Sequence, residues 1–369
     1  MKKITFLLSL FTFSLFFFGN AQEIYVSDAA SFNIGPWQIL KYDQNGENPE
    51  VFINTNLGWP QDIVFLESDN VVLISNLNTG LINRHNATTG AYIDAFASGI
   101  AGPTRMKIGD DNLLYVLQWN GNGNVLRYQL DGTFVDEFTS AGVFRSIGLD
   151  WDDSGNLYVS YYNTSTIRKY DSSGNDLGIF INTNLSGPTN IWFASNGDLY
   201  ANNWNNGTVS RFDSSGNFIE TWISDIGECE GVAFLPNGNI LIGKGTTGEV
   251  KQYQPDGTFV ENTVTSGLGG LVRPNAVVLR GFSLSDADFE STETVFVVPS
   301  VGSKFKLSQK VDLQNNAFEV YNLNGKLVEK VKMDNDLIWN ADSYSEGLYL
   351  IVATLEDGNR ITQKVIVKK

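Results

Sequence analysis

Cysteine and histidine are almost absent from this chain: its 369 residues include one of each, Cys229 and His85. A lone thiol cannot close an intramolecular disulfide. One imidazole and one thiol also make neither a Ser-His-Asp triad nor a zinc set of the usual His/Cys kind. Cys229 stands between Glu228 and Glu230, whose charges disfavour a thiolate, so it is not read as a nucleophile. Positive charge is also scarce, with 25 Lys and Arg against 41 Asp and Glu, and residues 22–281 alone carry 28 acidic and 13 basic side chains. Such a surface repels nucleic acid and anionic membrane; it keeps a protein soluble and favours cations or neutral ligands. No phosphate-binding or dinucleotide glycine motif occurs in a helical context, and Gly121-Asn122-Gly123 reads as a hairpin loop.

Long apolar runs are missing after the first residues. Ile4–Phe18 is apolar apart from Ser and Thr, follows Lys2 and Lys3, and leads to Gly19-Asn20-Ala21. At 15 residues it is shorter than the ~20 needed to span a bilayer, so 1–21 is expected to be a secretory signal peptide cleaved after Ala21.

What the chain has in abundance is glycine, 36 residues, and phenylalanine, 24. They fall into a repeat, clearest over Pro188–Ser224. There an apolar run (Asn190–Ala194) is followed by Ser195-Asn196-Gly197-Asp198, a second run (Leu199–Asn202), Asn205-Asn206-Gly207, a third (Thr208–Phe212), Asp213-Ser214-Ser215-Gly216-Asn217, and a fourth (Phe218–Ile223). Short apolar segments punctuated by Gly, Asn and Asp are antiparallel hairpins, because those residues tolerate positive φ. The third run ends on a ring at Tyr42, His85, Tyr128, Tyr170, Phe212 and Tyr253; the fourth carries Phe52, Phe96, Phe138, Phe180 and Trp222. His85 therefore reads as a packing substitute for Tyr or Phe. FINTNL occurs at both 52–57 and 180–185.

A period of roughly 40–45 residues with four strands per unit is that of a β-propeller blade. The last copy supplies only a first strand, Asn275–Leu279, and the first copy opens on the second, Glu23–Ser27. Pairing these two closes a six-bladed ring over 22–281 and leaves no open sheet edge. Residues 282–293 are polar and acidic and lack the repeat, as a linker does. Residues 294–369 hold shorter strands with turns at Asn322–Gly325 and Glu356–Asn359, and read as a small β-sandwich. The fold class is all-β.

The tail resembles the type A C-terminal sorting domain of the type IX secretion system of Bacteroidota. The resemblance rests on Phe318–Val328, Ser345–Val352 and the ending Gln363–Lys369. It implies export through the secretion machinery, which is then a partner of 294–369, and a secreted or outer-cell-surface location. The ring resembles NHL-repeat and regucalcin/gluconolactonase-type propellers through its Gly-Asn/Asp-Leu-Tyr-Val and Arg-Tyr/Phe-Asp-x-x-Gly segments. That likeness is one of architecture and leaves the activity open.

In a propeller, the loops between blades and those between second and third strands share one face. The entry residues of the innermost strands (Asp62, Arg105, Ser146, Asn190, Glu230 and Asn275) ring the channel mouth on that face. Asp62, Asn190, Glu230 and Asn275 offer hard oxygen ligands of the kind Ca²⁺ takes, so they are a candidate metal set for a lactonase- or lyase-type enzyme. The alternative is that they hydrogen-bond channel water and one another. At matching positions of three successive blades, Trp119, Tyr162 and Trp204 are flanked by amides, hydroxyls or rings; with Arg105 they are candidate contacts for a glycan, peptide or protein. The alternative is that the rings pack between blades. The repeated Asp-Ser-Ser-Gly-Asn turns at 171–175 and 213–217 fall on the opposite face and are turn residues first.

Overall fold

The computed structural model describes residues 22–281, 297–298, 301–307, 313–322, 327–332, 338–355 and 360–368. The expected signal peptide (1–21), the linker (282–293) and the turn residues 323–325 and 356–359 lie outside them. The chain divides into two compact units, Met1–Ser283 and Leu284–Lys369.

The first unit is a β-propeller of six four-stranded antiparallel sheets. Blade 1 runs from Pro274–Arg280 outward through Glu23–Asp28, Gln38–Asp43 and Glu50–Ile53. The innermost strands of blades 2 to 6 are Pro60–Leu66, Pro103–Ile108, Ser146–Trp151, Pro188–Phe193 and Cys229–Phe234. The ring closes as expected: Ile24 pairs with Leu279, Val26 with Val277 and Ser27 with Ala276.

Burial explains why a single copy is not stable alone. Each core cluster straddles a junction between neighbouring blades. Leu73 and Phe96 of blade 2 pack with Met106 and Val116 of blade 3. Val26 and Leu40 of blade 1 pack with Leu241 and Val250 of blade 6, sealing the ring. Hydroxyl groups repeat the same logic. Ser27 donates to Pro60 O (2.9 Å), Ser75 to Thr104 O (2.7 Å), Thr104 to Ser146 O (2.8 Å), Ser160 to Thr189 O (2.8 Å) and Thr189 to Cys229 O (2.9 Å), each to the inner strand of the next blade.

The periodic rings act in pairs. His85, Tyr128, Phe212 and Tyr253 each meet a ring opening the fourth strand edge-on, at 5.5–5.9 Å between centroids. His85 is fully buried, and its Nδ1 lies 3.0 Å from Gly90 O; burial pushes its pKa down. The turn glycines are fixed by the neighbouring blade. A Cβ on Gly174 (φ 80°) would sit 2.0 Å from Phe138 O. This approach recurs one blade earlier, at Gly132 against Phe96 O.

The second unit pairs a three-stranded with a five-stranded sheet. Val297, Phe305 and Trp339 of the first pack against Phe318, Val320, Ile351 and Val365 of the second, which is a β-sandwich core. One short strand there, Ile338–Asn340, is not evident from sequence pattern.

Candidate functional site

Trp119, Tyr162 and Trp204 each follow directly on a second strand: Leu114–Gln118, Leu157–Tyr161 and Leu199–Asn203. Each backbone N–H is tied to the preceding inter-blade loop: Trp119 to Gly102 O (2.7 Å), Tyr162 to Arg145 O (3.3 Å) and Trp204 to Gly187 O (3.0 Å). That anchoring lifts the three rings to the channel mouth, where all are half-buried and line one pocket of about 300 Å³. Trp119 and Tyr162 lie 5.7 Å apart, and the Tyr162 hydroxyl donates to Asn205 Oδ1 at 2.9 Å. The Arg145 guanidinium lies over Trp119, 5.5 Å from the ring centroid.

Two further rings complete the wall, and sequence pattern alone does not single them out. Phe32 reaches in from the loop Ala29–Trp37 of blade 1, 5.2 Å from Trp59 and 6.3 Å from Trp204. The Arg273 guanidinium lies over it at 4.2 Å. Trp59 has φ 53° and fills the slot that Gly102 (φ 71°) and Gly187 (φ 62°) hold before the prolines of other blades. A bulky residue in left-handed backbone is a rare, strained choice. The signals were present: a second-to-third-strand loop longer than its counterparts, and Gly58-Trp59-Pro60 where copies read Ala101-Gly102-Pro103 and Ser186-Gly187-Pro188.

The floor is charged and closed. Arg105 is 8% exposed and reaches across the channel. Nη1 donates to Gln61 O (3.1 Å) and Asp62 Oδ1 (3.2 Å); Nη2 donates to Glu230 Oε1 (3.2 Å) and Asn275 O (3.1 Å). These contacts are internal, so Arg105 serves as the counter-charge of the floor and is not presented as a ligand contact. Asp62 has no free oxygen either: Oδ1 also accepts from Ile63 N (2.9 Å) and Oδ2 from Met106 N (2.7 Å). Asn190 donates to the Glu230 carbonyl at 2.7 Å, a bond between blades. Glu230 and Asn275 remain on the pocket lining.

The four oxygen side chains therefore do not fit a calcium cage. A guanidinium already lies between the two carboxylates, and the Asn190 amide is turned by its N–H to the Glu230 carbonyl. Among the described residues no three His, Cys, Asp or Glu side chains gather closely enough to hold an ion.

Two acids share this one guanidinium. Burial raises both, Asp62 above its usual range and Glu230 to about 7, with Arg105 opposing the rise in each case. Cys229 is buried beside the floor, and burial pushes its thiol up to about 12, a larger cause than its acidic neighbour Glu230.

Comparison with known proteins agrees with both units. No curated protein matches the chain. Among solved structures, one entitled "Crystal structure of Nidogen/Laminin Complex" aligns with a TM-score of 0.57 at 13% identity, covering 70% of this chain and 98% of that one. A protein of unknown function from Bacteroides caccae aligns with a TM-score of 0.56 at 14% identity, over 70% and 98%. At these identities the likeness is one of fold, the β-propeller. No described helix is long and apolar enough to cross a membrane. Residues 299–368 match the family of the secretion system C-terminal sorting domain; the protein is accordingly one that the type IX route secretes or attaches to the outer cell surface.

Proposed function

We propose that the propeller is an extracellular binding module that recognises a glycan, peptide or protein partner at the channel mouth. The observation that carries this reading is the convergence of Trp119, Tyr162 and Trp204 with Phe32 and Trp59 on one pocket. Rings left half-exposed around a concavity supply large apolar contact area at small entropic cost, and they are over-represented in ligand sites for that reason. A neighbour in fold solved as a nidogen/laminin complex supports a propeller used for binding. The tail adds a second partner, the secretion machinery, engaged through 294–369. The other reading, a divalent-metal-dependent lactonase or lyase acting through Asp62, Asn190, Glu230 and Asn275, has less support, because the Arg105 guanidinium already lies between the two carboxylates of that set. The likeness of the repeat to NHL and regucalcin-type rings adds no site residue.

The test is the Trp119→Ala/Trp204→Ala variant against glycan and peptide arrays probed with the wild-type protein. Binding is expected to fall at least tenfold while the unfolding temperature stays near that of the wild type, since neither ring belongs to a junction core. Undiminished binding by a folded variant overturns the reading.

A further inference from the structure

The aromatic wall is only half of the pocket; the other half is a polar floor, and two donors on the lining have no protein partner. Gln61 is 4% exposed and lines the pocket, and its Nε2 donates to nothing in the described structure. The Trp59 indole N–H, on the same lining, is likewise buried without an acceptor. Glu230, on the same lining, is 5% exposed, and Arg105 engages its Oε1. Asn275, 2% exposed, adds an amide to the same floor. A buried polar group left without a partner is destabilising, so such groups gathered on one cavity point to a ligand that answers them.

The pattern of donors and acceptors narrows the ligand. Gln61 Nε2 and Trp59 Nε1 require acceptors, whereas the Glu230 carboxyl takes a donor when ionised and offers its own proton when neutral. A simple ammonium meets Glu230 but leaves the two donors unanswered. A carboxylate meets the donors but is repelled by Glu230. A hydroxyl donates and accepts, and several hydroxyls on one ring answer the whole floor while the ring's faces lie on the aromatic wall. Geometry limits the ligand again. Arg105 ties Gln61, Asp62, Glu230 and Asn275 together across the channel, so the pocket ends blindly beneath them. An open-mouthed pocket of about 300 Å³ is at the small end for ligand sites and suits one ring better than a threaded chain.

We infer that the pocket receives the terminal sugar ring of a glycan end-on, its hydroxyls bonded to Gln61, Trp59 and Glu230 and its faces held by Trp119, Tyr162 and Trp204. This rests on the reading of the mouth as a binding site. It goes further by naming the chemical class and the end of the chain.

The experiment uses the full chain on an array of oligosaccharides with varied terminal residues, followed by calorimetry with the strongest binder. Three results are expected. The matching monosaccharide competes. Affinity follows the number of chain ends and does not grow with chain length. Gln61→Leu, which removes the orphan donor at similar volume, weakens binding at least tenfold with no fall in unfolding temperature. Several results overturn the inference: no binding to any saccharide, affinity that grows with chain length, or full binding by Gln61→Leu. If peptides or proteins bind instead and the Trp119→Ala/Trp204→Ala variant loses them, the binding reading stands and the sugar assignment falls.

Discussion

The two faces of the propeller are built from the same six sheets, yet they treat polar side chains in opposite ways. On the face away from the mouth, turn carboxylates are saturated by their own loops. Asp171 accepts from Ser173 N, Asn175 N and Asn175 Nδ2, all at 2.9 Å, and Asp213 repeats those three bonds with Ser215 and Asn217. These bonds hold the Asp carboxyls below their usual range, and little capacity for a ligand is left. At the mouth, rings stay half-exposed, Gln61 and Trp59 keep unanswered donors, and two acids share one guanidinium. A repeat fixes the strands and both sets of turns. Function enters where a copy departs from the repeat without a structural return.

The largest test of this contrast is Arg105→Ala. It leaves Asp62 and Glu230 buried with no counter-charge, and removing one partner of a buried ion pair typically costs about 3–5 kcal/mol. Urea unfolding is expected to show a loss of that size. Adding Glu230→Gln to Arg105→Ala should restore much of it, because one of the stranded charges is then gone. A near-neutral Arg105→Ala would mean that the floor is solvated, and the blind end of the pocket would be in question.

A smaller effect comes from the shared guanidinium. Glu230 titrates at about 7 in the folded protein against an ordinary 4.5, so the folded state holds the proton longer than the unfolded chain. Its contribution to stability is complete below its ordinary value and is lost as pH rises towards 7, the reverse of the turn aspartates. Asp62, also raised, acts in the same direction from a lower starting point. Unfolding free energies between pH 4.5 and 7.5 should fall by roughly 1–3 kcal/mol more in the wild type than in Glu230→Gln. Equal slopes in the two proteins would place the unshared charge elsewhere.

The architecture was legible because burial forces it: a 42-residue period of rings and turn glycines has few ways to hide its faces, and the pairing of Ile24 with Leu279 follows from the broken first and last copies. The mouth positions of Trp119, Tyr162 and Trp204 followed from topology. The destination of Arg105 did not, because a one-per-blade list of entry residues says nothing of which side chains are long enough to cross the channel. Arg105 crosses it, and in doing so turns a supposed cation cage into an ion cluster. Trp59 and Phe32 escape the repeat pattern for a different reason. Alignment of the copies draws the eye to what recurs, whereas a tryptophan at φ 53° in a glycine slot matters because it does not recur.

The mildest test belongs to the saturated face. Asp152 opens a turn in which its carboxylate accepts from Ser154 N (3.0 Å), Asn156 N (2.9 Å) and the Tyr158 hydroxyl (3.0 Å). Replacing it with alanine removes these bonds in a partly solvated place, where water takes over some of them, so about 1 kcal/mol is expected from urea unfolding. Ligand binding should not change, since the turn lies at the far end of blade 4 from Tyr162. If Asp152→Ala weakened ligand binding as much as Gln61→Leu, the division of labour between the faces would fail, because a turn without free polar groups would then be shaping the mouth through the length of the sheet.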